Sequence, residues 1–243
     1  MQLSRTDLKI YSSLKRKSKR EEHGLFIAEG VKVCQELINS DFSIKGLFCN
    51  QDNAGIFKEA TIISEKDAQR ISNQKNNSGI FAVVELPTEK QKPVDINKDI
   101  IVLENINDPG NLGAIIRTMD WFGFSQIICS ENSVDAFNPK TIMASMGSVF
   151  RVQPHYLDTT NFLKNKKVSS YGTLMNGQSV NTTKFNNPSV IVFGNESHGI
   201  SNELMNHIQH SISIPGKGEA ESLNLSNSSA IIINELYRQR NKG

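Results

Sequence analysis

Residues 99–119, DIIVLENINDPGNLGAIIRTM, change character twice within a short span, and that change sets the fold class. Ile100 to Leu103 are apolar at successive positions, as a strand covered on both faces requires, rather than alternating with polar residues. Pro109 and Gly110 then favour a tight turn, Asn111 is placed to cap a helix, and Gly113 permits close packing or a close ligand. LGAIIRTMDWFGF continues as that helix. A strand feeding a helix through a short polar loop is the unit from which parallel α/β sheets are built.

The alternation continues downstream through SQIICS, NPKTIMASMGSVF, VSSYGTLM, SVIVFGN, SISIP and LSNSSAIIINELYRQR. It predicts a parallel sheet with helices on both faces. Upstream, Leu25 to Glu85 reads as a smaller α/β unit. In it FIAEGVKVCQELI is expected to be an amphipathic helix, IKGLFCN and ATII strands, SEKDAQRIS a helix and GIFAVVEL a strand. The segment LPTEKQKPVDINKD, Leu86 to Asp99, has two prolines, several charges and no periodicity, the composition of a linker. A boundary near residue 97 follows, dividing the chain into 1–96 and 97–243.

The 243 residues suffice for two cores, and no apolar run is long enough to span a membrane or to serve as a signal peptide, so a cytoplasmic protein is expected. Cys34, Cys49 and Cys129 share no CxxC spacing, so they are expected to be reduced and structural, with no metal site. The net charge of +2 conceals a basic cluster of Lys9, Lys15, Arg16, Lys17, Lys19 and Arg20. Such a cluster is either a solvated helix face or a surface that tracks a phosphate backbone.

Two more loops match the first in kind. Phe193-Gly-Asn-Glu-Ser-His-Gly-Ile-Ser201 follows an apolar strand, and Gly194 and Gly199 would let backbone groups face a ligand while Glu196 bonds a hydroxyl or a backbone donor. His198 is more ordinary as a solvated residue than as a base. Ile214-Pro-Gly-Lys-Gly-Glu-Ala-Glu-Ser-Leu-Asn-Leu-Ser226 runs into the last helix; Ser222, Asn224 and Ser226 exceed what one cap needs. Arg117, on an otherwise apolar helix, is expected to be buried and paired, either with an internal carboxylate or with a substrate phosphate.

DPGNLGAIIRT, FGNESHGIS and IPGKGEAESLNLS resemble, in order and spacing, the three motifs of the SpoU (TrmH-like) RNA methyltransferases. The segment LKIYSSLKRKSKREEHGLFIAEGVKVCQELI resembles the L30e-like substrate-binding domain that precedes their catalytic domains. The resemblance implies a SPOUT-class α/β domain with a deep C-terminal trefoil knot, S-adenosylmethionine as cofactor, a homodimer, and methyl transfer to a ribose 2′-hydroxyl of rRNA or tRNA. Matched by position, Phe193, Gly194, Asn195, Glu196, Gly199, Ile214, Pro215, Gly218, Ser222, Leu223 and Asn224 would hold the cofactor, Leu223 against its adenine. Asn111, Arg117, Glu196, Ser222 and Asn224 match the polar active-site positions, and Gly216 stands where many members have methionine. A guanidinium is always protonated, so Arg117 suits a phosphate clamp better than a base. Lys15, Arg16, Lys17, Lys19 and Arg20 would then, with Arg117, contact RNA. Two rivals remain. One is a non-catalytic RNA-binding protein of the same fold. The other is a nucleotide-dependent oxidoreductase, against which stands the absence of GxGxxG after the first strand of either half.

Overall fold

The computed structural model describes residues 3–74, 76–88 and 92–241. The linker reading of Leu86 to Asp99 therefore falls in part, at 89–91, outside the described residues.

The first sheet has the order β1-β4-β2-β3, built from β1 (Leu25–Glu29), β2 (Ile44–Cys49), β3 (Thr61–Ile62) and β4 (Ile80–Glu85). Around it lie α1 (Arg5–Ser13), α2 (Lys17–His23), α3 (Val31–Ile38) and α4 (Glu65–Ile71). The expected helix over FIAEGVKVCQELI is thus corrected to a strand and a shorter helix. Leu25 to Glu29 are all buried and pair antiparallel with β4, and this backbone ladder makes them a strand. Gly30, at φ 105°, turns the chain sharply before Val31. On β4, Phe81 and Val83 pack with α1 and α4, while Ile80, Ala82 and Val84 face α3 and the second unit.

The second sheet is fully parallel, in the order β10-β8-β9-β5-β6-β7. Its strands are β5 (Ile100–Leu103), β6 (Gln126–Ser130), β7 (His155–Leu157), β8 (Ser169–Ser179), β9 (Ser189–Phe193) and β10 (His210–Ser213). The helices are α5 (Pro109–Trp121), α6 (Pro139–Ser145), α7 (Thr159–Asn165), α8 (Asn202–Met205) and α9 (Leu225–Arg240). Both faces are covered. Ile101, Leu103, Ile191 and Phe193 pack with α5 and α9, and Ile100, Val102, Val190 and Val192 pack with Leu163 of α7 and Leu204 of α8. Each such aliphatic side chain contributes about 1.5–3 kcal/mol of transfer free energy. The end of α9 is tied down by Arg240, whose guanidinium meets both oxygens of Asp99 at 2.8 Å, and by Gln239, which bonds Thr183 O and Phe185 N.

The two sheets share one core. Phe26 of β1 stacks on Phe137 at 4.7 Å, and Phe42 meets Phe150 at 5.3 Å. Arg20 donates to Leu14 O and Lys15 O, and its other nitrogen reaches Asp135 Oδ2 at 2.8 Å. Arg151 joins Glu36 of α3 at 2.6 Å to Asp120 of α5 at 2.7 Å. The two units are therefore welded, and removing the first would expose the apolar faces of Phe137 and Phe150.

Two outcomes follow. Arg20→Ala leaves Asp135 and two carbonyls without their donor, so urea unfolding is expected to show a loss of about 2–3 kcal/mol; a loss within experimental error would remove Arg20 from the weld. Cys34, Cys49 and Cys129 are free and buried, and burial pushes the Cys34 thiol up to about 12 and raises that of Cys129 as well. All three should react with an aromatic disulfide reagent only as the protein unfolds.

Candidate active site

The loops that follow β5, β9 and β10 meet at one end of the parallel sheet, beside the point where strand order reverses between β9 and β5. Open α/β sheets bind ligands in such crevices. The loop after β5 is shaped by Asn105, at φ 52°, whose backbone N–H and side-chain oxygen are both bonded by Ser130 Oγ at 2.7 and 3.1 Å. Helix α5 then starts at Pro109 with Asp108, not Asn111, as its cap: Asp108 Oδ1 accepts from Asn111 N at 3.0 Å. Partial burial acts to raise the Asp108 carboxyl, but the Asn111 N–H and the Lys140 ammonium, 3.1 Å away, hold it below the ordinary aspartate value.

Because Asp108 caps the helix, the buried Asn111 carboxamide is free to join the other loops. Its Nδ2 donates to Glu196 Oε1 at 3.1 Å, and its Oδ1 accepts from Asn224 Nδ2 at 3.1 Å. Both amide orientations are forced. Glu196 only accepts, and Asn224 Oδ1 must receive the Ser226 N–H, at 2.9 Å, because Asn224 caps α9. Glu196 also takes the N–H groups of Asn107 at 3.4 Å and Asp108 at 3.2 Å. One residue from each loop thus enters a single relay, Glu196 to Asn111 to Asn224.

The loop after β9 is a closed turn. Asn195 and Gly199 exchange two backbone hydrogen bonds of 2.9 Å, Asn195 Oδ1 accepts from Ser197 N and His198 N, and Asn195 Nδ2 donates to Asn105 O at 2.6 Å. A Cβ on Gly194 would lie 2.1 Å from the Gly199 carbonyl carbon, so only glycine fits, and Gly199 sits at φ 68°. Ser201 caps α8 and bonds the buried carboxylate of Glu104 through N and Oγ, at 2.8 and 2.5 Å. Sequence reasoning missed Glu104, Asn105, Ser130 and Asp108. The one available signal was a carboxylate, Glu104, directly ending an apolar strand.

Other expected residues lie differently. Phe193 is fully buried in the core, and its carbonyl accepts from Glu104 N. Ile214 packs partly on the core, whereas Pro215, Gly218, Ser222 and Leu223 are exposed, and Ser222 makes no hydrogen bond among the described residues. His198 is exposed. Arg117 was expected to be buried and paired; it is exposed and makes no hydrogen bond or ion pair among the described residues. It shares an outward stripe with Trp121, four positions on, while the apolar positions of α5 turn to the core. Among the basic residues, Lys15 and Arg16 are exposed, Lys17 and Lys19 pair with Glu21 and Glu22, and Arg20 is buried in the weld. Arg20 is therefore corrected from an RNA contact to a structural residue.

Residues 98–234 match the model of the SpoU rRNA methylase family. The chain belongs to that family. Residues 6–82 match the model of an MRM3-like substrate-binding domain. The 23S rRNA (guanosine(2553)-2′-O)-methyltransferase RlmP of Bacillus subtilis is 28% identical, over 94% of this chain and 95% of the relative. A TrmH-family protein of Porphyromonas gingivalis has a solved structure that superposes with a TM-score of 0.86 at 32% identity, covering 98% of this chain and all of the other. An AdoMet-bound rRNA methyltransferase from Sinorhizobium meliloti superposes at 0.82 with 28% identity, over 99% and 97%. In this SpoU chain the three motif loops are the ones joined through Asn111. Gly194→Ala should open the turn between Asn195 and Gly199 and abolish ligand binding there, while the thermal unfolding of the rest stays cooperative; calorimetric binding equal to wild type would show the turn tolerates a side chain.

Proposed function

We propose that this chain transfers a methyl group from S-adenosylmethionine to a ribose 2′-hydroxyl of rRNA or tRNA. The observation that carries the reading is the relay that draws one polar side chain from each SpoU loop to a single point. Relatives across nearly the whole chain length support it, including the Bacillus subtilis 23S rRNA 2′-O-methyltransferase and the AdoMet-bound Sinorhizobium meliloti enzyme.

The residues fit such a cofactor. Ile214 and Leu223 offer apolar surface for adenine, and the exposed backbone at Gly216 and Gly218 has open space around it. Backbone groups of the Asn195–Gly199 turn, with Glu196, offer hydrogen bonds to its polar parts. When bound, S-adenosylmethionine supplies an electrophilic methyl group. The chain's task is then to hold a 2′-hydroxyl in line with it, a positioning effect worth roughly 7–11 kcal/mol of barrier. In this reading Asn111, Glu196, Ser222 and Asn224 orient the reacting groups, and Arg117 clamps the neighbouring phosphate and steadies the developing alkoxide.

The same reading makes the enzyme a homodimer. Helices α5 and α9 present Trp121, 83% exposed, with Ile231 and Tyr237 on their outer side, an apolar surface that a second copy would cover. In this reading Arg117, exposed on the Trp121 stripe, would act across that contact. We further take residues 1–96 as the L30e-like RNA-binding domain and 97–243 as the catalytic SPOUT domain. A trefoil knot belongs to the same reading. Buried free thiols and an RNA substrate suit the cytoplasm; among the described residues no helix is long and apolar enough to cross a membrane.

Incubation with labelled S-adenosylmethionine and unmodified rRNA or tRNA should yield 2′-O-methylribose. Arg117→Ala should lower the transfer rate by about 100-fold or more with cofactor affinity unchanged. Cofactor binding with no transfer to either RNA by the wild-type chain would favour a non-catalytic RNA-binding protein.

A further inference from the structure

A groove of ≈ 550 Å³ runs between the two units, lined by Lys15, Ile27, Glu29, Asn73, Gln74, Asn138, Pro139, Lys140 and Met143. We propose that it receives a single-stranded nucleotide flanking the methylated ribose, with its phosphate on Lys15 and Lys140 and its base edge on the carboxamides of Asn73 and Gln74. This rests on the RNA-methyltransferase reading and names where the substrate strand enters.

Four features of the groove carry the inference. Its volume falls within the roughly 300–1,000 Å³ of small-ligand sites. The Lys15 ammonium and the side chains of Asn73 and Gln74 have no hydrogen-bond or ion-pair partner among the described residues, so donors and acceptors are held ready without serving the fold. Carboxamides both donate and accept, which suits the edges of an unpaired base, and single-stranded bases are what sequence-reading RNA proteins engage. Met143, 39% exposed, and Pro139 supply the apolar wall.

The acidic residue in the lining does not oppose an RNA strand. Glu29 is buried, and its carboxylate is consumed by Ser72 Oγ at 2.7 Å, Asn73 N at 3.0 Å and Ser78 N at 3.3 Å. Those bonds hold Ser72, Asn73 and Ser78 to β1. On the opposite wall Lys140 is anchored 3.1 Å from Asp108, the cap of α5, and Asp108 N donates to Glu196. Through Lys140 the groove borders the cap of α5, so a strand lying in it would lead its neighbouring ribose toward Asn111.

The test is filter binding of labelled, protein-free 23S rRNA across a salt series, without cofactor, to the full chain and to two variants, Lys15→Ala and the double variant Asn73→Ala/Gln74→Ala. Both remove side chains that have no partner among the described residues, so folding should be preserved; unchanged calorimetric affinity for S-adenosylmethionine checks this. Lys15→Ala should weaken binding and make the slope of log affinity against log salt shallower by about 0.7, one phosphate contact. The double variant should weaken binding roughly ten-fold with the slope unchanged. Wild-type affinity and slope in both variants would overturn the groove. Binding is read without chemistry, so weakened variants of a wild-type chain that transfers no methyl group would support the groove while refuting the transferase reading.

Discussion

The arrangement of this site depends on one carboxamide. Asn111 can donate to Glu196 and accept from Asn224 only because Asp108 has taken over the capping of α5. The three loops are far apart in sequence, and each is internally stable, through a helix cap or a closed glycine turn. None of those local devices brings the loops together. The Asn111 amide brings in the third loop, while the Asn107 and Asp108 N–H groups on Glu196 and Asn195 Nδ2 on Asn105 O also join the first two. The orientation of the Asn111 amide is set by the Glu196 carboxylate, which only accepts, and by Asn224, whose own amide is turned by the Ser226 N–H. A ligand meeting these loops meets groups already oriented, which is the condition for catalysis by positioning.

A second constraint sets how substrate can approach. The first unit is not a tethered module. The phenylalanine cluster around Phe26, the Arg20 to Asp135 contact and the Glu36–Arg151–Asp120 bridge fix it against the catalytic sheet. Residues from both units then form one groove wall to wall, with a spacing that does not depend on linker motion. Reading RNA through a composite groove places recognition and the reacting ribose on one rigid body. It also explains why Arg20, the last residue of a basic run, turns inward: its planar fork satisfies two carbonyls and a carboxylate that would otherwise be buried without partners.

Much of the fold was legible in the residues. Runs such as IIVL and VIVF are apolar at every position because both faces of a parallel strand are covered, and these became β5 and β9 at the centre of the sheet. FIAE was misread for a related reason. Its four residues join an apolar helical period downstream, and only pairing with β4 separates strand from helix. The motif loops were legible as loops because glycine and proline punctuate them. The cap of α5 was legible too but was read on the wrong residue: Asp108 and Asn111 are both good caps by type, and Pro109, a first-turn residue, makes Asp108 the cap. Arg117 shows the opposite limit: apolar neighbours suggested burial, but helix geometry turns its position outward with Trp121.

The sequence by itself determined the class of the protein, because burial periodicity, turn chemistry and the three ordered motifs are all properties of consecutive residues. The tertiary structure alone decided which side chains act together. Asn111 meets Asn224 across 113 positions, Arg20 meets Asp135 across 115, and the groove takes its walls from both units. Such partnerships depend on how sheets and helices pack in space, and no local rule of spacing or propensity encodes a contact between residues that only the completed core brings within hydrogen-bond range.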